Sequence, residues 1–151
     1  NSVGKNFGKE KSIPFEQIIP LLQIPKIDWI NLQYNVNDND KTIISSRNIK
    51  FMKLKNSDVY DDVENLARCI QHCDLIVTCS NSTAHMAGAL NKTTLLILPY
   101  QKGRLFYWDT VNHRSLWYPS IEIINQETVE NWHRPIQEVQ LKLNTIANLR
   151  K

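Results

Sequence analysis

No stretch of this chain reaches the ~18 consecutive apolar residues of a membrane-spanning helix. Its opening residues also lack the basic start, apolar middle and small-residue cleavage site of a secretory signal. Cysteine is scarce: Cys69, Cys73 and Cys79 are an odd set with no disulfide framework, which points to a reducing, cytoplasmic compartment. Glycine is nearly as sparse, with four residues, and none of them forms Gly-x-Gly-x-x-Gly. That argues against a dinucleotide oxidoreductase. The net charge of +3 is small and dispersed, short of a nucleic-acid footprint. Internal repeats, low-complexity tracts and a recognisable Ser/His/Asp triad are absent too. What is present is ordinary for a globular protein, 42% hydrophobic and 22% charged. Residues 1–151 suffice for a single domain that buries roughly two-thirds of its unfolded surface.

Apolar periodicity divides the chain into alternating strands and helices. Pro14 suits a first helical position, and Phe15, Ile18, Ile19 and Leu22 follow at helical spacing. Ile27 to Gln33 reads as a strand, Asn35 to Asp40 as a polar loop, and Ile49 to Leu54 as a second strand. A helix is expected over Val59 to His72, capped by Asp58, with Asp61, Asp62 and Glu64 in its first turn. Three strands follow, Asp74 to Cys79, Thr93 to Leu98 and Ile121 to Asn125. A helix over Ser82 to Leu90 separates the first two. An aromatic, irregular stretch from Tyr100 to Ser120 precedes the last, and Trp132, Ile136, Val139, Leu143 and Ile146 mark a C-terminal amphipathic helix. The pattern predicts an α/β fold: a Rossmann-like, doubly wound, mainly parallel sheet of about five strands. Such a unit starts on a strand, yet this chain starts in a polar loop, Asn1 to Ser12. The expectation is a fragment whose first strand and preceding domain lie outside it.

The segment Leu75 to Pro99 carries the chemistry. An apolar strand runs into Ser80-Asn81-Ser82-Thr83, which opens a short helix bearing His85. Small polar residues at a helix N-terminus bind anions well, because free N–H groups and the helix dipole both favour negative charge. An ordinary N-cap, with His85 bonded within the fold, explains the same residues about equally well. Other patterns are weaker. Gly4 to Lys9 is one residue short of a Walker motif and has Glu10 where Ser or Thr belongs. Asp38-Asn39-Asp40 sits in a presumed turn with no rigid strand to fix an octahedral metal. Cys69, His72 and Cys73 lack the second ligand pair of a zinc site. Phe106, Tyr107, Trp108, Trp117 and Tyr118 suit either stacking on a base or packing a loop onto the sheet.

In order along the chain come Lys11-Ser12-Ile13-Pro14, Asn31-Leu32-Gln33, Asp74-Leu75-Ile76-Val77 and Ala84-His85-Met86-Ala87-Gly88-Ala89-Leu90-Asn91-Lys92. Leu98-Pro99, Ser115-Leu116-Trp117-Tyr118-Pro119, Gln126 and Trp132 follow. This series resembles the C-terminal, donor-binding half of bacterial GT-B glycosyltransferases of the heptosyltransferase-like group, especially domains that follow tetratricopeptide repeats. The resemblance implies a metal-independent transferase with no cofactor, which takes a nucleotide-diphosphate sugar as substrate. It also implies a missing N-terminal acceptor domain, so that the fragment alone is inactive. By the same resemblance Lys11, Ser80, Asn81, Ser82, Thr83 and His85 face the diphosphate, and Gln33, Arg104 and Trp108 border the nucleotide. Where the family has Asp-Thr, this chain has Ser80-Asn81, so an orienting carboxylate is lost. The competing expectation is therefore a degenerate Rossmann-like module that binds or scaffolds without transfer chemistry. Catalytic residues are not identified by either reading.

Overall fold

A computed structural model describes residues 12–33, 36–52, 61–100 and 105–149. Among these, five α-helices and five strands form an α/β unit. The helices are α1 (Phe15–Leu22), α2 (Asp38–Ser46), α3 (Val63–His72), α4 (Ser82–Ala89) and α5 (His133–Leu149). The strands are β1 (Ile76–Cys79), β2 (Thr94–Leu98), β3 (Thr110–Val111), β4 (Arg114–Ser115) and β5 (Ile121–Asn125). They make one mixed sheet in the order β1-β2-β5-β4-β3. β1, β2 and β5 run parallel, with Cys79 level with Ile97 and Leu98 level with Asn125. β4 runs antiparallel to both β5 and β3.

Alternation along β2 and β5 explains the layering. Leu95, Ile97 and Ile124 face one side, where they meet Leu21 of α1, Ile24 just after it, and Trp132, Ile136, Val139 and Leu143 at α5. Leu96, Leu98, Ile121 and Ile123 face the other, against Ala84 of α4 and Trp108. Every residue of β2 is buried, as befits a strand covered on both faces. A third cluster joins Ile70 of α3, Ile76 of β1 and Ala87 of α4.

Two predicted strands do not form among the described residues, the second of which, predicted to reach Leu54, lies partly outside them. Residues 27–33 and 49–52 carry no regular structure, and the described link between them is one bond from the Met52 N–H to the Trp29 carbonyl, 2.7 Å. A strand exists only where a neighbour completes its ladder, and neither segment pairs with the sheet. The sheet's remaining strands come instead from the β3–β4 hairpin inside the aromatic stretch. The polar loop expected to end at Asp40 also gives way, because α2 starts at Asp38. Asn37 Oδ1 accepts the Asp40 N–H at 2.8 Å, and Asp38 and Asp40 lie in the first turn. Asn and Asp favour turns, but the same side chains are the best N-caps and suit the positive helix end. Asp62 rather than Asp58 caps α3, its Oδ1 accepting the Asn65 N–H at 3.0 Å. Residues 53–60, with Asp58 and the expected start at Val59, lie outside the described residues.

Candidate functional site

The turn after β1 is held from within. Asn81 is extended and its Oδ1 accepts the Ala84 N–H at 3.1 Å, which makes it the N-cap of α4. Its amide nitrogen donates to Thr78 Oγ1 at 3.1 Å, tying the cap back to β1. Helix geometry leaves the N–H groups of Asn81, Ser82 and Thr83 without an intrahelical acceptor. No backbone acceptor takes them up among the described residues. Three donors therefore stand at the carboxyl end of β1, on a turn where Ser82 is exposed and Thr83 half-buried.

Beneath the turn lies an aromatic cluster. His85 stacks on Trp108 with ring centres 4.7 Å apart and planes 22° from parallel. Tyr107 meets the same imidazole edge-on at 4.9 Å, and Tyr118 does so at 5.8 Å. The Tyr118 hydroxyl lies 3.3 Å from His85 Nδ1. Burial among these rings pushes the His85 pKa down, since desolvation penalises the imidazolium. Trp108 is wholly buried and its indole N–H donates to Ser80 Oγ at 3.0 Å, across 28 residues of sequence. Tyr118 reaches α4 over Gly88, where a β-carbon would collide with its ring.

Ser80 is thus committed to the interior, and Trp108 shows no face to solvent. Asn81, Ser82, Thr83 and His85 share one short stretch at the head of α4. Gln33 is exposed and its N–H bonds to Asn31 Oδ1 at 2.9 Å; its neighbour Leu32 packs on the cluster that includes Ala87 of α4. Lys11 and Arg104 lie outside the described residues. Among the described residues no group of three His, Cys, Asp or Glu side chains is placed to hold a metal. Asp38 is bonded to Lys41 at 2.9 Å, and His72 Nδ1 lies 2.8 Å from the Arg68 carbonyl.

Gln126 was not among the site residues expected from sequence. It follows β5 directly, next to the end of β2, and is 4% exposed. Its N–H donates to the Leu98 carbonyl at 2.8 Å, and its Oε1 accepts the Tyr100 N–H at 3.1 Å. That bond fixes the amide orientation and leaves Nε2 a buried donor without a partner. The sequence signal was a polar residue directly after the last parallel strand.

Comparison with known proteins gives little more. No protein-family profile matches the chain, and no solved structure matches it. Protein FlbA of Caulobacter vibrioides is 23% identical over 138 residues, which is 89% of this chain and 22% of FlbA. The chain therefore spans about a fifth of the length of that curated relative. These results overturn the kinship with GT-B glycosyltransferases that the motif series suggested. The name FlbA is not that of a glycosyltransferase, and the small mixed sheet gives no sign of a GT-B domain. Short motifs of common residues around a strand–turn–helix recur wherever that local geometry is needed, so their order was weaker than it looked. No helix among the described residues is long and apolar enough to cross a membrane.

Proposed function

We propose that this domain binds a nucleoside-diphosphate ligand, a nucleotide sugar being the leading candidate, at the turn between β1 and α4. The observation that carries the reading is the set of N–H groups on Asn81, Ser82 and Thr83, at the carboxyl end of a parallel strand, that find no backbone partner among the described residues. That is where open α/β sheets, including Rossmann-like ones, take up phosphate-bearing ligands. Support comes from Gln126, whose free amide donor lies at the same end of the sheet. Neutral donors held rigidly suit charge that develops on a departing diphosphate, so sugar transfer is the reaction such a ligand would serve. The domain alone provides only the donor side and is expected to be inactive.

The test is NMR titration of the labelled chain with UDP, GDP and ADP, with inorganic pyrophosphate as a probe for the anion alone. The expected result is saturable shifts of the Asn81, Ser82, Thr83 and His85 amides. Silence at these amides with all four ligands, at millimolar concentration, removes the reading. A module that binds without transfer is favoured by one observation: the His85 ring packs against three aromatic side chains and its Nδ1 lies 3.3 Å from the Tyr118 hydroxyl, which ties the imidazole to the fold. Nucleotide-sugar binding by a longer natural protein, without transfer or hydrolysis, would support that second reading.

A further inference from the structure

The aromatic residues between β2 and β5 fall into two sets. Tyr107, Trp108 and Tyr118 close on His85. Phe106 and Trp117 do not, and they are 79% and 66% exposed. Trp108, the ring expected from sequence to border a nucleotide, is buried, whereas Phe106, two residues before it, presents its ring to solvent. That ring is exposed but not loose. Leu105 beside it packs into the cluster of Leu96, Leu98 and Ala84. The Trp108 N–H donates to the Leu105 carbonyl at 3.0 Å, and the Asp109 N–H to the Phe106 carbonyl at 3.3 Å. Among the described residues the ring touches Tyr107, with 5.3 Å between centres and 70° between planes. Tyr107 in turn meets His85 at 4.9 Å. Phe106 therefore stands two ring contacts from the head of α4. Trp117 adjoins Tyr118, whose ring packs over Gly88, farther along that helix. A single exposed apolar side chain needs no explanation. Its place beside the free N–H groups of Asn81, Ser82 and Thr83 is what gives Phe106 one.

We infer that Phe106 is the platform on which the base of a bound nucleotide stacks. The inference rests on the nucleotide reading above and adds to it the residue that takes the base. A bare anion occupies the turn alone. A nucleotide carries, one ribose beyond its phosphates, a flat ring whose π face can lie on that of Phe106. Stacking is tolerant of base identity, because every base has such a face. UDP, GDP and ADP should therefore bind alike, and each more tightly than pyrophosphate.

The test measures dissociation constants for UDP, ADP and pyrophosphate from the amide shifts of Asn81, Ser82 and Thr83, in the full 151-residue chain and in its Phe106→Ala and Phe106→Trp variants. Phe106 is exposed, so neither change should disturb folding. Phe106→Ala is expected to weaken UDP and ADP by about fivefold or more and to leave pyrophosphate unchanged. Phe106→Trp, which keeps a stacking face, is expected to retain the parent affinities. The ring protons of Phe106 should move with either nucleotide and stay in place with pyrophosphate. Equal weakening of all three ligands by Phe106→Ala would overturn the inference, since the residue would then shape the turn rather than take the base. Nucleotides that bind no more tightly than pyrophosphate, or that lose nothing in Phe106→Ala, would overturn it while leaving the anion site standing. Silence of the turn with every ligand removes this inference and the nucleotide reading together.

Discussion

Gly88→Ala tests how α4 and the aromatic loop are joined. Ala is the better helix former by about 1 kcal/mol, so in an exposed helix the change would stabilise. Here the new β-carbon would stand 2.6 Å from Cδ1 and 2.8 Å from Cβ of Tyr118, and closer still to Cγ. Carbon atoms rest at about 3.5–4.0 Å, so the overlap is roughly 1 Å. It falls at the root of the ring, where a rotamer change relieves little. Overpacking of this kind costs about 1–3 kcal/mol, and displacing Tyr118 weakens its contact with His85, about 0.5–1.5 kcal/mol for an aromatic pair. The losses outweigh the propensity gain, for a net destabilisation of about 1–3 kcal/mol. At about 2–4 °C per kcal/mol for a domain of this size, Tm should fall by about 2–12 °C. Calorimetry measures the shift, and the imidazole resonances of His85 report whether Tyr118 has moved. Adding Tyr118→Gly, which removes Cβ together with the ring, should make Gly88→Ala harmless and so show coupling between the two sites in a double-mutant cycle, whereas Tyr118→Ala, which keeps Cβ, should relieve the clash only in part. A Gly88→Ala protein more stable than the parent would refute the reasoning, because the close approach would then be no constraint.

Other substitutions read out neighbouring parts of the same unit. Ser80→Ala leaves the buried indole N–H of Trp108 without an acceptor and should cost about 1–3 kcal/mol in denaturant unfolding. Asn81→Ala removes the cap of α4, worth about 0.5–2 kcal/mol, and amide exchange should rise first in the turn Ser82 to Ala84. His85 binds protons less readily folded than unfolded, so its contribution is complete above the ordinary value of about 6.5 and is lost as pH falls through its lowered one. An NMR titration of the imidazole should place its midpoint below that of a histidine peptide, and a bound diphosphate should move it upward. Leu96→Ala, in the fully buried β2, should cost about 2–5 kcal/mol by equilibrium unfolding, far more than Leu116→Ala on the exposed loop.

Features encoded by near neighbours were legible in the sequence. Helices α1, α4 and α5 and strands β1, β2 and β5 fall where periodicity put them, within a residue or two. Asn81 at the head of α4 likewise announced a cap, because the bond to Ala84 spans three residues. The start of α2 was misread because Asn and Asp serve turns and caps alike, and only the following turn of backbone decides between them. The candidate site was legible in part. Asn81, Ser82, Thr83 and His85 do fall together at the head of α4, but the inward commitment of Ser80 depends on Trp108, which is distant in sequence. The free amide of Gln126 was invisible, since its vacancy follows from which atom the Tyr100 N–H takes up.

By itself, then, the sequence determined the local segments, the apolar faces and the helix terminus with its small polar residues. Those properties depend on contacts within one or two turns of chain. Tertiary structure decided which extended segments became strands. Ile27 to Gln33 carries an apolar alternation of Ile27, Trp29 and Ile30 with Leu32, but among the described residues no neighbour completes a ladder with it and it stays irregular. Tertiary structure also decided that His85 is a desolvated, ring-enclosed imidazole, because Tyr107, Trp108 and Tyr118 reach it from a loop more than twenty residues away. A side chain's charge state and a strand's existence both depend on what is packed beside them, and a linear pattern does not specify that neighbour.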